Sequence, residues 1–207
     1  MRAPLFLTVF IALLTAGPAV FAQDAPQGGQ AAQPERVRGT IQAFDGHTLT
    51  VKTAMGPVAL MLPDPPNVTG LTAATMADIG DNTFIGTTAV KDKDGNWQAL
   101  EVHIFPEAMR GAGEGHYAWD IPESTMTNAA VTGTTKAKDG ETLNLTYQGG
   151  SVDVTVTPQT KIVAFGPGDV SLLKPGATVF ALAVPGQNGG ATAVALVAET
   201  NGVKPPM

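Results

Sequence analysis

The residues best suited to chemistry lie close together in the middle of the chain. Imidazole, carboxylate and thioether groups could bind zinc or copper in an oxidising compartment. None of the spacings matches H-x-H, H-x-x-x-H or H-E-x-x-H, the patterns that put two imidazoles on one face of a strand or helix. We therefore expect no metal site, and metal handling stays an alternative. The residues that this alternative would use are His103, Glu107, Met109, Glu114 and His116.

The same stretch contains the three groups of a hydrolytic triad. Ser124, His116 and Asp120 supply a hydroxyl, an imidazole and a carboxylate. No nucleophile elbow such as G-x-S-x-G surrounds Ser124, which follows a turn-like Ile-Pro-Glu sequence. The glycines of GAGEG, residues 111–115, lack the strand-to-helix context and the Lys of a phosphate loop. We therefore expect no enzymatic activity and no cofactor.

Residues 106–128 differ from a plain linker because they include bulky side chains. Burying one such side chain fully is worth about 1.5–3 kcal/mol, so several could dock this segment on its neighbours. We expect an ordered strap, with a ligand or partner meeting the protein at its exposed polar edge. The candidate residues of that surface are Arg110, His116, Tyr117, Trp119 and Asp120.

The N-terminus has the pattern of a secretory signal peptide. Arg2 precedes an apolar run from Leu5 to Leu14, a Gly17-Pro18 break follows, and small residues stand before position 23. The run is shorter than the roughly 20 residues that span a bilayer, which disfavours an uncleaved anchor. We expect cleavage after Ala22, a periplasmic or secreted protein, and no stable membrane span in the mature chain.

Composition narrows the possible partners. The chain has no Cys, which excludes a disulfide framework and thiol chemistry, and its formal net charge is −6. No run of Lys or Arg is present, so we expect no nucleic-acid partner. Residues 23–35 are rich in Gln, Ala, Pro and Gly, a composition typical of a flexible tether. An unknown protein or small molecule remains as the expected partner.

Two copies of one module follow the tether. VRGTIQAFDGHTLTV, which starts at Val37, matches VTGTTKAKDGETLNL, which starts at Val131, so the offset is 131 − 37 = 94 residues. Alternation of period two predicts strands with one buried face. The turn signals Asp45-Gly46 and Asp139-Gly140 predict two-residue hairpins, and later Gly-containing turns add two more hairpins in each copy.

These patterns predict an all-β fold of two tandem five-stranded barrels. Each barrel has a short helical turn between its third and fourth strands, the order of an OB-like barrel, with an SH3-like barrel as the alternative. The repeats span residues 36–105 and 129–200, and residues 201–207 form a C-terminal tail. We expect ten apolar side chains in the cores: Ile41, Leu49, Val51, Leu60, Val102, Leu143, Val154, Val156, Val179 and Leu196.

The same motifs resemble an exported bacterial family of small β-barrel domains of unknown function. The matching stretches are VRGTIQAFDGHTLTV, LLKPGATV and DGNWQALEV, and the resemblance covers most of residues 36–200. It implies a fold and a compartment, and it brings no catalytic residues. Asn188-Gly189-Gly190 departs from the family's usual Asp-Gly turn.

The sequence therefore predicts an exported, non-enzymatic binding or structural module. The alternatives are a periplasmic zinc- or copper-handling protein and a protein that binds an oligosaccharide or peptide on a barrel face. We expect His47, in a hairpin turn, to face solvent, and His103, in a strand, to lie at the surface or at a barrel end.

Overall fold

The computed structural model of the chain describes residues 34–186 and 190–206. The predicted signal peptide, most of the predicted tether and the Asn188-Gly189 turn lie outside the described residues. Within them the fold is all-β, as predicted, and no helix is long and apolar enough to cross a bilayer.

Thirteen strands and three single turns of 3-10 helix make up the described chain. The strands are β1 Glu35–Phe44, β2 Thr48–Thr53, β3 Gly56–Met61, β4 Thr69–Ala73, β5 Phe84–Lys91, β6 Trp97–Ile104, β7 Gly115–Ala118, β8 Ser124–Ala137, β9 Gly140–Tyr147, β10 Gly150–Val156, β11 Lys161–Pro167, β12 Thr178–Pro185 and β13 Ala191–Ala198. The 3-10 turns are Met76–Asp78, Glu107–Met109 and Val170–Leu172.

The predicted helical turn between strand hairpins is present in both repeats. Met76–Asp78 precedes β5, and Val170–Leu172 precedes β12. Asp78 accepts a hydrogen bond from the Thr75 amide at 2.8 Å, and Asp169 accepts one from the Ser171 amide at 2.6 Å. Each carboxylate satisfies an amide that the short turn leaves without a backbone partner. A further strand, β4 or β11, precedes each turn and was not predicted.

Strand pairing closes two five-stranded circuits, and each circuit combines strands of both repeats. In the first circuit β1, β2 and β3 form an antiparallel meander, and β12 and β13 return to pair with β1 and β3. In the second circuit β8, β9 and β10 form the meander, and β5 and β6 close it. Closure pairs the edge groups that short strands would otherwise expose.

The prediction that each repeat closes its own barrel is not confirmed by this pairing. After β3 the chain passes through β4, which pairs antiparallel with β11 of the other repeat, and β5 then joins β8. Strands β4 and β11 also pair with β13 and β6, so they join the two circuits in one continuous sheet. Because both repeats alternate with period two, the alternation alone does not distinguish pairing within a repeat from pairing between repeats.

The first hairpins of the two repeats differ in length, which corrects the predicted alignment. Phe44 pairs with Leu49, whereas the equivalent Leu143 pairs with Thr134, four positions further back. The β-bulge of β1 begins at Ile41 and that of β8 at Val131, which are 90 positions apart. The offset of 94 therefore holds from β2 onward, and an offset of 90 relates β1 to β8.

The turn residues of these hairpins are also shifted from the prediction. The first loop has four residues, 45–48, and Asp45 accepts hydrogen bonds from the amides of His47 and Thr48 at 2.9 and 2.7 Å. In the second hairpin Ala137 pairs with Gly140, so the two-residue loop is residues 138–139. The Asp-Gly pairs correctly predicted where the two hairpins turn. The first turn is wider than predicted because the Asp45 side chain accepts hydrogen bonds from amides of its own loop.

Each circuit encloses its own apolar core. Leu49, Val51 and Val179 pack in the first, and Val102, Leu143 and Val154 pack in the second. A third, smaller cluster of Leu71, Val163 and Val197 lies where β4, β11 and β13 meet. All ten predicted core residues are buried, which confirms the face assignment: Ile41, Leu49, Val51, Leu60, Val102, Leu143, Val154, Val156, Val179 and Leu196.

Candidate functional site

The segment between the two repeats forms a short hairpin with the start of the second. β7 pairs antiparallel with β8 from Gly115 opposite Asn128 to Ala118 opposite Thr125. Asn128 Nδ2 donates to the carbonyl oxygens of Ala112 and Gly113 at 3.2 and 3.1 Å, which holds the glycine-rich loop against β8. These contacts place the side chains of β7 on defined faces.

Three residues of the predicted surface have side chains that point in different directions: Arg110, His116 and Tyr117. Arg110 Nε donates to Glu107 at 2.6 Å, and one of its terminal nitrogens donates to the Asn82 carbonyl at 2.7 Å. His116 and Tyr117 project from opposite faces of β7 because strand side chains alternate. His116 lies between the rings of Trp97 and Tyr147, with centroids 5.5 and 6.0 Å away.

The titration behaviour of these residues follows from their surroundings. The hydrogen bond from Arg110 lowers the pKa of Glu107 and raises that of Arg110. Burial lowers the pKa of His116, whose Nδ1 lies 2.8 Å from the Thr127 hydroxyl. Burial also raises the pKa of Tyr117, against a smaller opposite effect of the Arg36 charge.

The other two predicted surface residues, Trp119 and Asp120, contact basic residues of β1. The Arg36 guanidinium lies 3.8 Å from the Trp119 ring centroid, a cation–π contact. Arg38 donates a short hydrogen bond to Asp120 and stacks 4.7 Å above the Phe180 ring. The strap is therefore attached to the first circuit by two arginine contacts.

The candidate metal and triad groups bind other partners. Within the described residues no three His, Cys, Asp or Glu side chains come together in a metal-binding arrangement. Glu114 accepts a hydrogen bond from the Gln148 amide at 2.9 Å. Ser124 donates to the Ile121 carbonyl at 2.6 Å, whereas His116 contacts Thr127 and Asp120 contacts Arg38.

His103 is buried at 7 % exposure, so it does not lie at the surface, one of the two positions expected for it. Glu101, on the same strand, accepts hydrogen bonds from the Thr88 amide and hydroxyl at 3.0 and 2.8 Å. Its other oxygen lies 3.1 Å from His103 Nδ1. The contact with the Glu101 carboxylate offsets the free-energy cost of burying the polar imidazole. His47, by contrast, is exposed in its turn, as predicted.

A cavity of about 230 Å³ lies beside His103, between the strap and both circuits. We call it the seam cavity. Its wall is formed by the strap, by strands of both circuits, by β4 and β11, and by the C-terminal tail. It is lined by Arg38, Thr69, His103, Phe105, Met109, Ala112, Gly113, Tyr117, Trp119, Met126, Asn128, Phe165, Phe180, Leu182, Ala195, Val197, Pro205 and Pro206.

The seam cavity lies where equivalent strands of the two repeats meet. Arg38 of β1 and Asn128 of β8 are equivalent at the offset of 90, and His103 of β6 and Val197 of β13 at 94. The two repeats thus present different chemistry at matching positions. One contributes an imidazole and an arginine, and the other contributes a valine and an amide.

Three lining residues have buried polar atoms without a hydrogen-bond partner among the described residues. These atoms are Arg38 Nε, Trp119 Nε1 and Asn128 Oδ1. Asn128 is only 8 % exposed, and its amide nitrogen is occupied by the strap carbonyls. Since nearly all buried polar groups in proteins are hydrogen-bonded, such a group at a cavity wall points to a missing partner.

Of the predicted site residues, Tyr117, Trp119, His103 and Met109 line the seam cavity. The sequence reasoning missed Arg38, Asn128 and the phenylalanines of β11 and β12. A signal was present for Arg38, because a basic residue stands beside apolar neighbours in β1. Nothing in the sequence indicated Phe165 or Phe180, which reach the site only because β11 and β12 cross to the other repeat's strands.

Comparison with protein-family models, curated proteins and solved structures finds no match for this chain.

Proposed function

We propose that this protein is an exported, non-enzymatic binding module whose small, largely apolar ligand binds in the seam cavity. The observation that carries the proposal is a set of three polar atoms at the wall of a largely apolar cavity, Arg38 Nε, Trp119 Nε1 and Asn128 Oδ1, which have no hydrogen-bond partner in the described part of the chain. Ligand sites in proteins are typically apolar pockets with a few well-placed polar groups.

The surroundings of the cavity support binding more than catalysis. No serine, threonine or cysteine nucleophile paired with a base lines it in the described residues, and acyl or phosphoryl transfer would need such a pair or a metal. The proposed exported location rests on the signal-peptide pattern. The proposed OB-like or SH3-like character of the circuits rests on the strand order within each repeat.

Trp119 provides a reporter for this proposal because it lines the cavity and the only other tryptophan, Trp97, does not. In the Trp97→Phe background, titration with toluene, cyclohexanol or naphthalene is expected to change Trp119 emission in a saturable manner. The mature protein, from residue 23, is the sample. Failure of all three compounds to give a saturable change would contradict the proposal.

Two neighbouring residues of β13 provide a matched pair of variants. Ala195 lines the cavity, whereas Val194, the unpaired residue of the β-bulge in β13, is 55 % exposed and does not line it. Ala195→Phe should reduce affinity at least about tenfold by occupying the cavity mouth, a loss of about 1.4 kcal/mol. Val194→Phe adds a larger side chain without blocking it and should leave affinity unchanged. An equal response of both variants would place the ligand elsewhere.

A further inference from the structure

The aromatic residues of the seam cavity form a partial cage around His103. The imidazole stacks on Phe165 with 4.8 Å between centroids and 9° between planes. Phe105 meets both rings edge-on, at 4.9 Å from His103 and 5.3 Å from Phe165. Faces and edges of aromatic rings favour another flat ring in offset or T-shaped contact. The shape and chemistry of this wall therefore suit a planar aromatic ligand.

The hydrogen bonds around Glu101 determine what His103 offers to such a ligand. Both Glu101 oxygens act as acceptors, one for Thr88 and one for His103 Nδ1. The Nδ1 proton is thereby assigned, and in the neutral imidazole Nε2 is then a hydrogen-bond acceptor. No described residue donates to Nε2.

A second acceptor lies beside Nε2. Gly86 has no side chain, and a Cβ at this position would overlap both His103 Nε2 and Asn128 Oδ1. The two atoms therefore approach one point above Gly86. Asn128 Oδ1 also has no donor partner among residues 34–186 and 190–206, and its identity is fixed because Nδ2 donates to two carbonyls. Two converging acceptors without a donor call for a hydroxyl or amine hydrogen on the ligand.

The charges around the cavity favour a neutral ligand. Arg38, the cationic residue of the wall, is already paired with Asp120. Glu101 is directed toward Thr88 and His103. A carboxylate ligand would have to displace Asp120 or enter without a free cation, which is costly in an apolar site.

We propose that the seam cavity binds neutral aromatic alcohols of the phenol class, with the hydroxyl hydrogen donated to the acceptor pair of His103 Nε2 and Asn128 Oδ1. This inference rests on the proposed function, since it names the ligand class of the same cavity. The unpartnered donors Arg38 Nε and Trp119 Nε1 provide for a second, hydrogen-bond-accepting oxygen on the ligand.

Four related probes test this class on the mature Trp97→Phe protein by Trp119 fluorescence and by calorimetry. They are p-cresol, its methyl ether 4-methylanisole, toluene and p-toluate. We expect p-cresol to bind about tenfold more tightly than toluene or 4-methylanisole, because only p-cresol can donate a hydrogen bond. This comparison needs no change in the cavity.

His103→Phe keeps the aromatic stack and removes the acceptor. The preference for p-cresol over toluene should then fall below about threefold, while toluene affinity stays within about threefold of its starting value. His47→Ala, a change at an exposed histidine, should leave the preference intact.

The outcomes separate the two proposals. Saturable binding of toluene and p-cresol with equal affinity, or tightest binding of p-toluate, overturns the phenol class and leaves the binding proposal standing. Absence of binding by all four probes overturns both. A p-cresol preference that survives unchanged in His103→Phe also overturns the assignment of the hydroxyl to His103.

Discussion

The exchange of strands between repeats predicts which engineered cysteine pairs can form a disulfide. Glu35 of β1 is the register partner of Ala183 in β12. Ala89 of β5 occupies the position equivalent to Ala183 in the other repeat, and both alanines are fully buried. If each repeat closed its own circuit, β1 would instead lie beside Ala89. The native chain has no Cys, so no other thiol competes.

We expect Glu35→Cys with Ala183→Cys to oxidise readily, and Glu35→Cys with Ala89→Cys to stay reduced. Directly opposite antiparallel residues have Cα atoms about 4.5–5.5 Å apart, a distance that a disulfide spans. The first bridge would close a loop from position 35 to position 183, for which the chain-entropy relation gives about 5 kcal/mol of stabilisation in the absence of strain.

Non-reducing electrophoresis and mass spectrometry on the monomer identify the bridge, and denaturant unfolding with and without reductant measures its stabilisation. The two variants share the Glu35 change and differ only in which buried alanine becomes Cys. Rapid oxidation of the 35–89 pair with none at 35–183 would refute the strand exchange. It would restore the arrangement of one barrel per repeat.

Three further predictions concern the cores, a histidine and metal binding. Leu49→Ala and Leu143→Ala should each lower the free energy of unfolding by about 2–5 kcal/mol in denaturant titrations, and a loss below about 0.5 kcal/mol would contradict their core positions. Burial lowers the pKa of His116 in the folded state, so the stability that neutral His116 contributes is present above the unfolded pKa near 6.5 and is lost as pH falls below that value. Thermal unfolding from pH 7.5 to 5 should show this loss of stability. An equally large loss in His116→Phe would contradict the assignment to His116. Calorimetric titration should find no sub-micromolar zinc or copper site, and such an affinity that vanishes in His103→Ala or His116→Ala would support the metal-handling alternative.

The cores were predictable because burial in a strand follows a period of two. Leu49 and Val51 alternate with Thr residues, and Leu143 with polar neighbours, so the pattern alone indicates the buried face. Turn positions followed from Gly and Asp in the same way. These are local properties, and they do not depend on which strand pairs with which.

The sequence did not predict the strand exchange or the cavity, because both depend on which strands pair with each other. Identical alternation in both repeats makes pairing within or between repeats equally consistent with the sequence. The apparent offset of 94 aligned Arg38 with Thr132, whereas the longer β8–β9 hairpin makes Asn128 its true equivalent. The burial of His103 was not predictable because its partner Glu101 belongs to a residue type that is almost always exposed.

The indole N–H resonance of Trp119 gives the most direct test of the seam cavity as a ligand site. Nitrogen-15 labelling yields two indole signals, one for each tryptophan, and Trp97→Phe assigns them. Trp119 Nε1 has no partner among the described residues, whereas a bound ligand would contact it. Titration with p-cresol should shift the Trp119 signal in a saturable manner and leave the Trp97 signal in place. A fixed Trp119 signal at saturating p-cresol and toluene, or an equal drift of both signals, would contradict a ligand in the seam cavity.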